Sequence, residues 1–542
     1  MNRGKCGCWS PQTQPASLPA RCTRLDLPAN QGRLWRAEGL LVAGIPVYDR
    51  TSAVAPLVVE KLEKVLQKSR RENKALLEIC NDAADGWSRI QAGFLILRLS
   101  LATKFIFYAQ SVDPVLAEPF AREFDQILVE SFSKLLDCTP GEFDEKAIRQ
   151  MHLSVKEGGC GFHSHFTYDL RKFYVGSALL ASPTVAAATG LVVGQCFLEN
   201  TPPASVSEQI LANSVHLLER AGIPAPDFAY GGPVEADTYL HTVAQTFGEL
   251  HRSELCRLFE EADDDASKAR LLSCGGVGAQ WLVSLPTDPR LCFEDDDFVS
   301  VVRLRLGLDT FTAGRCPHVN ADGVQCTDEC DRQGRHLFKC QTGGGWIMAH
   351  DSTLAEYCHL VMGSDGIPGA EVEWKPHVSA WPRRTRDAEA DVGFYRLPGM
   401  RDTYVDGVIS YADPATYPGC ESTPGHVAEL KKRDKHRDHP VFDARYRRQV
   451  PFDFVALSFE RHGRWAKETV SFTKKLASRR AIAAGLEPSD EIRRWYAVIA
   501  CAIQRANAKI LRGEPVPALA LAPPVWRRLG VGFGRDLSVA GG

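Results

Sequence analysis

The feature that most constrains this chain is the stretch 315–340, RCPHVNADGVQCTDECDRQGRHLFKC. Cys316, Cys326, His336 and Cys340 offer three thiolates and one imidazole, separated by the turn formers Asn, Asp and Gly. Tetrahedral zinc takes four soft or borderline ligands from short loops, and a closed set of four is structural. Cys330 is a spare thiol and His318 a spare imidazole, and either can replace Cys326 as the second ligand. The chain carries 17 cysteines, unevenly spaced, and opens without an apolar signal segment. That pattern argues against a disulfide framework and for an intracellular, reducing compartment in which clustered Cys and His bind metal.

Around this segment the chain reads as several domains, which 542 residues allow. A net charge of −3 excludes a wholly basic polyanion binder, so local charge is the better guide to partners. Basic residues crowd the C-terminal third, and acidic clusters lie at 260–265 and 294–297. Residues 1–38 read as a disordered leader, and 39–47 (GLLVAGIPV) as a strand or strand-turn. From 53 to 110 the pattern is helical, with Leu57, Val58, Leu62, Val65 and Leu66 forming one apolar stripe. A further helix is expected over 115–136. The most apolar run, 94–108, is interrupted by Arg98 and Lys104; it reads as a buried helix too short to span a bilayer, so no membrane partner is expected. Gly158, Gly159, Cys160 and Gly161 read as a turn between helices, with backbone N–H groups that a phosphate could use. Acidic residues near Asp296 are placed to cap a helix ending at Gly307, and the run 262–265 (ADDD) reads as a solvated turn.

Beyond residue 340 the periodicity changes. Short β-branched or aromatic runs at 369–374, 390–395, 402–410 and 453–459 read as strands; 346–362, 427–436 and 468–484 read as helices. Helix, three strands, helix, strand is an α/β module with a mixed sheet. Asp391 and Asp406 fall on adjacent strands of this module, fifteen positions apart. Metal-dependent phosphodiester cleavage needs carboxylates converging on a hard divalent cation, and a basic group near the phosphate or the attacking water. Glu371 or Glu373, and Glu356, are possible further ligands, while Lys432 and Lys435 share a helix face. A basic and aromatic stretch follows, with Arg445, Tyr446, Arg447, Arg448, Arg461, Arg464 and Trp465 as candidate nucleic-acid contacts.

In this order the motifs resemble the C-terminal region of LINE-type, non-LTR retrotransposon polyproteins that carry a restriction-enzyme-like endonuclease. The family's arginine-rich helix before the knuckle is matched by 303–308 (RLRLGL), and the knuckle's ending by 331–340 (DRQGRHLFKC). His350 and Asp351 match the start of its nuclease helix; 389–392 (EADV) and 406–409 (DGVI) match its two aspartate strands. Its Lys-x-x-Lys helix corresponds to 432–436 (KRDKH), and its last strand to 454–460 (FVALSFE). Upstream, 39–47 is similar to the strand after the polymerase palm, 91–114 to a thumb helix and 153–162 to the segment beyond it. The pattern departs from the family at Glu389, Gly407 and His436, and no Asp-Asp palm motif precedes Gly39.

The resemblance implies a multi-domain α+β chain. Residues 39–200 would form a post-palm and thumb-like helical region, 201–310 a helical linker and 311–345 the zinc knuckle. Residues 346–480 would form an α/β restriction-endonuclease-like domain, followed by C-terminal helices over 481–512 and a tail over 513–542. It implies a metal-dependent DNA-nicking activity that serves target-primed reverse transcription, without polymerisation by this chain. Asp391, Asp406 and Glu371 would hold Mg2+ or Mn2+, and Lys432 or Lys435 would act on the phosphate. DNA, and the element's RNA, are the implied partners, and chromosomal cleavage implies nuclear localisation. The alternative is a catalytically inactive, zinc-containing nucleic-acid-binding remnant.

Overall fold

A computed structural model describes residues 40–42, 45–47, 56–81, 88–166, 170–189, 202–203, 206–220, 222–226, 233–320, 322–363, 366–376, 389–438 and 452–514. Along the chain run the hairpin β1 (Leu40–Val42) and β2 (Ile45–Val47), then α1 (Pro56–Asn81), the helical run α2 (Arg89–Ala109) and α3 (Pro114–Leu135). Next come α4 (Glu145–His152), α5 (Leu170–Thr189), α6 (Val206–Arg220), α7 (Pro233–Glu260), α8 (Asp265–Ser273) and α9 (Asp295–Leu306). Short strands β3 (Gly314–Arg315) and β4 (Glu329–Cys330) precede α10 (Gly345–Met362), β5 (Glu371–Trp374), β6 (Val392–Tyr395) and β7 (Thr403–Ser410). The chain continues through α11 (His426–Asp438), β8 (Asp453–Glu460), α12 (Lys467–Ala484) and α13 (Pro488–Leu511). The architecture is α+β, largely helical, with a small mixed sheet. The leader 1–38 and most of the tail expected over 513–542 lie outside the described residues.

The chain divides into two compact units. The first comprises 1–82, 96–134 and 162–251; the second comprises 83–95, 135–161 and 252–542. In the first unit the expected stripe of α1 is buried at Val58, Leu62 and Leu66, while Lys64, Lys68 and Arg70 face solvent. Asp125 of α3 is buried and accepts the backbone N–H groups of His165 and Phe166, each at 3.0 Å. The buried His165 in turn meets the carbonyl of Ala102 through Nε2 at 2.6 Å. A carboxylate inside a helical bundle is tolerated because these donors replace water.

Helix α2 corrects a sequence expectation. The helical run begins at Arg89, before the apolar stretch itself, and extends through a π turn and a 3-10 turn to Ala109. At 21 residues it is long and apolar enough to cross a membrane by length and composition, although 44% of the window is buried in the protein. Counting only the most apolar residues made it look too short.

The second unit is organised around α13, whose residues Trp495, Val498, Ile499, Cys501, Ile503 and Ile510 are all buried. It packs on α9, α10 and α12. The sheet has the order β5-β6-β7-β8; the first three strands are antiparallel, and β7 and β8 are parallel. A parallel pair requires a crossover, and α11 supplies it, packing on both β7 and β8. The expected helix–strand order of this module is therefore observed, with boundaries displaced by a few residues at most.

The arginine-rich helix is a structural fastener. Arg305, 2% exposed, donates to the carbonyls of Val155, Gly159 and Cys274 at 2.9, 3.0 and 2.6 Å. It clamps the glycine turn at 158–161, where a Cβ on Gly159 would meet the Leu153 carbonyl at 2.1 Å. Asp264 in the acidic run caps α8 by accepting Ser267 N–H at 2.7 Å and pairs with Arg335 at 2.6 Å. At α9 no acidic side chain caps the helix itself; Asp295 instead accepts Ile90 N–H at 2.9 Å, and Gly307 ends the helix at φ 75°.

Candidate metal centres

The antiparallel pair β3–β4 folds the Cys-rich segment back on itself, with Gly314 opposite Cys330 and Arg315 opposite Glu329. A 3-10 turn over Arg335–Phe338 then presents His336, and Cys340 follows it. Gly334 opens that turn at φ 66°, and a Cβ there would also meet Leu511 at 2.9 Å. One donor atom each from Cys316, Cys326, His336 and Cys340 lies within 4.8 Å of all the others. Cys316 Sγ is 3.7 Å from Cys340 Sγ, and Cys326 Sγ is 3.5 Å from His336 Nε2. The other ring nitrogen, His336 Nδ1, faces the Asp328 carboxylate at 3.6 Å, as an outer group that orients a ligating imidazole would. This set can hold a metal ion, and its chemistry is compatible with zinc.

The second ligand, open in the sequence, is assigned by position. Cys330 is buried but falls outside the four-donor group, and His318 turns its Nε2 to the Ile510 carbonyl at 3.2 Å. Burial pushes the Cys316 and Cys330 thiols up, whereas the Asp328 backbone N–H holds Cys326 down. Leu337, Phe338 and Ile510 pack with these cysteines, so the cluster is continuous with the core around the end of α13.

The carboxylate pair forms through sheet register. Asp391 immediately precedes β6 and donates its backbone N–H to the Val405 carbonyl at 3.0 Å, which sets it beside Asp406 on β7. Asp391 Oδ2 accepts Gly407 N–H at 2.7 Å and faces His350 Nε2 at 3.1 Å. Asp406 Oδ1 accepts from Lys435 Nζ at 2.8 Å. Burial works against the Asp391 charge, but His350, Asp406 and Gly407 N–H together hold its carboxyl well below the usual range. Burial likewise opposes the His350 cation, yet the Asp351 and Asp391 carboxylates raise it to about 9. The site therefore brings two aspartate side chains together, with the His350 ring on Asp391 and Lys435 Nζ on Asp406.

Other expected members sit elsewhere. Glu371 lies opposite Tyr395, at the far end of the strand pair, and ion-pairs with Arg396 at 2.5 Å. Glu373 accepts from the Tyr395 hydroxyl at 3.0 Å, and Glu356 is buried against Arg505 at 3.4 Å. The register of β5 explains this, since Trp374 and not Glu371 stands across from Val392 beside Asp391. Lys432 pairs with Glu429 at 2.5 Å, so the two lysines share a helix but not a partner. His350 was legible only as the start of a motif; nothing in its spacing announced contact with Asp391.

The basic stretch is corrected in part. Arg445, Arg447 and Arg448 lie outside the described residues. Arg464 is half-buried and donates to the Leu272 carbonyl at 3.0 Å, and Arg461 and Trp465 are buried. These side chains, expected as nucleic-acid contacts, turn inward after β8, Arg461 and Trp465 into the core and Arg464 half-buried. A groove of about 650 Å3 beside Lys435 carries mixed charge, with Lys339 paired to Asp413 and Lys431 and Arg437 paired to Asp434, beside the rings of Trp346 and Tyr417. Trp346 is 49% exposed, and Lys431 Nζ sits 5.1 Å from the Tyr417 ring centroid. No protein-family model matches this chain, and no curated protein matches it.

Proposed function

We propose that this chain is a LINE-type retrotransposon-derived protein whose second unit carries a metal-dependent, DNA-nicking endonuclease of the restriction-enzyme-like kind. The observation that carries this reading is the juxtaposition of Asp391, at the entry to β6, with Asp406 on the neighbouring β7, and Lys435 of the crossover helix against Asp406. The order helix, three antiparallel strands, crossover helix and parallel strand supports it. Two hard carboxylate oxygens suit Mg2+ or Mn2+, which would supply Lewis-acid activation of water at the phosphate. Asp391 and Asp406 bind that cation, Lys435 offers a positive charge to the phosphate, and His350 holds Asp391 in place. The groove beside Lys435 receives a DNA strand: Lys339, Lys431 and Arg437 meet the backbone while Trp346 and Tyr417 offer stacking surfaces. Zinc in the Cys316, Cys326, His336 and Cys340 cluster braces one wall of this groove, where Phe338 stacks on Tyr411 at 5.3 Å. Such a protein acts on chromosomal DNA in the nucleus, with the element's RNA as a further partner.

Nicking of supercoiled plasmid with Mg2+ or Mn2+ tests this reading. Wild type should nick, and Asp391→Ala and Asp406→Ala should each lose on the order of a hundredfold or more in rate. A second reading is favoured by the cations already seated on both carboxylates and by the distant Glu371. On that reading the chain is an inactive zinc-containing nucleic-acid-binding protein, and metal-independent binding with no nicking would establish it.

A further inference from the structure

Helix α12 carries Lys467, Lys474, Lys475, Arg479 and Arg480 against one carboxylate, Glu468. Its inward side, at Thr469, Phe472, Thr473 and Leu476, is buried. The helical period places Lys467, Ser471, Lys474, Lys475 and Ser478 together on the opposite side, where the three lysines and Ser471 are exposed. At 1.5 Å per residue this stripe is about 16 Å long, the rise of about five base pairs of duplex. Arg479, one turn beyond Lys475, donates to the carbonyl of Pro398 and to that of Gly399 at 2.9 Å. It thereby ties the turn between β6 and β7 to α12, and the exposed Arg401 belongs to that turn.

The state of its cations sets this surface apart from the crossover helix. On α11, Lys432 is held by Glu429 and Lys435 by Asp406, while Lys431 and Arg437 share Asp434. Lys474, Lys475 and Arg401 have no carboxylate in ion-pairing distance among the described residues. The nearby acids are committed elsewhere: Glu468 to His436 at 2.7 Å, and Asp402 to the Arg396 N–H at 3.2 Å. Lys467 is the exception, since its backbone N–H and its charge both act on Glu429.

A paired cation must give up its carboxylate before it can meet a phosphate, whereas an unpaired one gives up only water. Each lysine that neutralises a phosphate also releases a condensed counterion, which favours a polyanion over a single anion. The hydroxyls of Ser471 and Ser478, set among the lysines, can donate to phosphate oxygens.

We propose that the outer face of α12, centred on Lys474, Lys475 and the neighbouring Arg401, is a second contact surface for the DNA backbone. It shares no residue with the groove beside Lys435. The proposal rests on the reading of this chain as a DNA-acting protein, but it does not depend on catalysis. Contacts of this kind add affinity and orient the duplex without reading its sequence.

Equilibrium binding of the full chain to a short DNA duplex, over a salt series without Mg2+ or Mn2+, tests the proposal. The Lys474→Gln, Lys475→Gln double variant should bind about tenfold or more weakly at low salt, and its plot of log affinity against log salt should be shallower by about 1.8. The Lys474→Arg, Lys475→Arg variant should bind as wild type does. The Lys64→Gln, Lys74→Gln variant removes the same net charge from α1, where Glu60 and Glu78 pair with these lysines, and should leave the slope unchanged. An unchanged slope in the α12 glutamine variant, or an equal loss in the α1 variant, would overturn the proposal. So would binding of wild type to anionic phospholipid vesicles and not to DNA. Failure of the nuclease reading is distinguishable, because it shows as bound DNA left intact once Mg2+ is added.

Discussion

The Cys-rich cluster and the aspartate pair are both candidate metal centres, yet they are built in opposite ways. The cluster takes all four donors from one short segment, closed by a two-residue strand pair and a 3-10 turn. Its geometry is local, and its soft donors fit a structural ion. The aspartate pair draws His350 from α10, Asp391 from the residue before β6, Asp406 from β7, and Lys435 from the crossover helix. Its geometry exists only when the sheet is in register. The cluster is closed by its own ligands, whereas the aspartates meet their counter-charges from other elements. A local site fails when one donor is removed; an assembled site fails when either a donor or the register is lost.

The largest effect should come from the local site. Cys340→Ser is expected to lower metal affinity on the order of a hundredfold or more and to unfold the segment around it, because metal binding and folding are one equilibrium there. Metal content by mass spectrometry and amide exchange over 314–340 would check this. Full metal content in Cys340→Ser would break the assignment of the four ligands. In the same variant the aspartate pair should persist if the two regions are independent, which Mg2+-dependent nicking would report.

A smaller effect separates the two lysines. Lys435→Met should reduce nicking about tenfold or more, since Lys435 is the cation that reaches Asp406. Lys432→Met should change it by less than about threefold in relative terms, since Lys432 is held by Glu429. Rate comparison under single-turnover conditions decides this, and equal losses would show that the helix rotates on binding DNA.

The smallest effect concerns docking of the Cys-rich segment through Arg335. Burial opposes the Asp264 charge, but Arg335 and Ser267 hold its pKa down to about 2, against an ordinary value of 3.8. A depressed carboxylate stabilises the fold above its ordinary pKa, and that stability is lost as pH falls through about 2. Asp264→Asn should therefore cost about 0.5 kcal/mol at neutral pH, the scale of a partly exposed ion pair. The difference from wild type should shrink as pH drops from 3.8 toward 2 in denaturant melts. A difference constant with pH would assign the effect to the helix cap alone.

Much of the second unit was legible because its signals are local. The apolar periods of α10 and α12, and the β-branched runs of β5 to β8, carry their own secondary structure. The RLRLGL motif was legible as a helix with a glycine stop, but its second arginine reads as charged surface until Val155, Gly159 and Cys274 are seen around it. Arg464 misled for the same reason: a basic residue after a strand gives no local sign that it turns inward. Glu371 misled because a one-strand neighbour is close in sequence order and yet remote once register is fixed.

The sequence by itself determined the four donors of the cluster as a set of candidates, the order of helices and strands, and the two aspartates as strand neighbours. These follow from spacing and periodicity, which act within a few residues. Only the tertiary structure decided that Cys326 and not Cys330 or His318 completes the cluster, and that His350 and Lys435 flank the aspartates. Those outcomes depend on which side chains from distant elements share one volume, and burial, register and charge compensation set that only after the chain has folded.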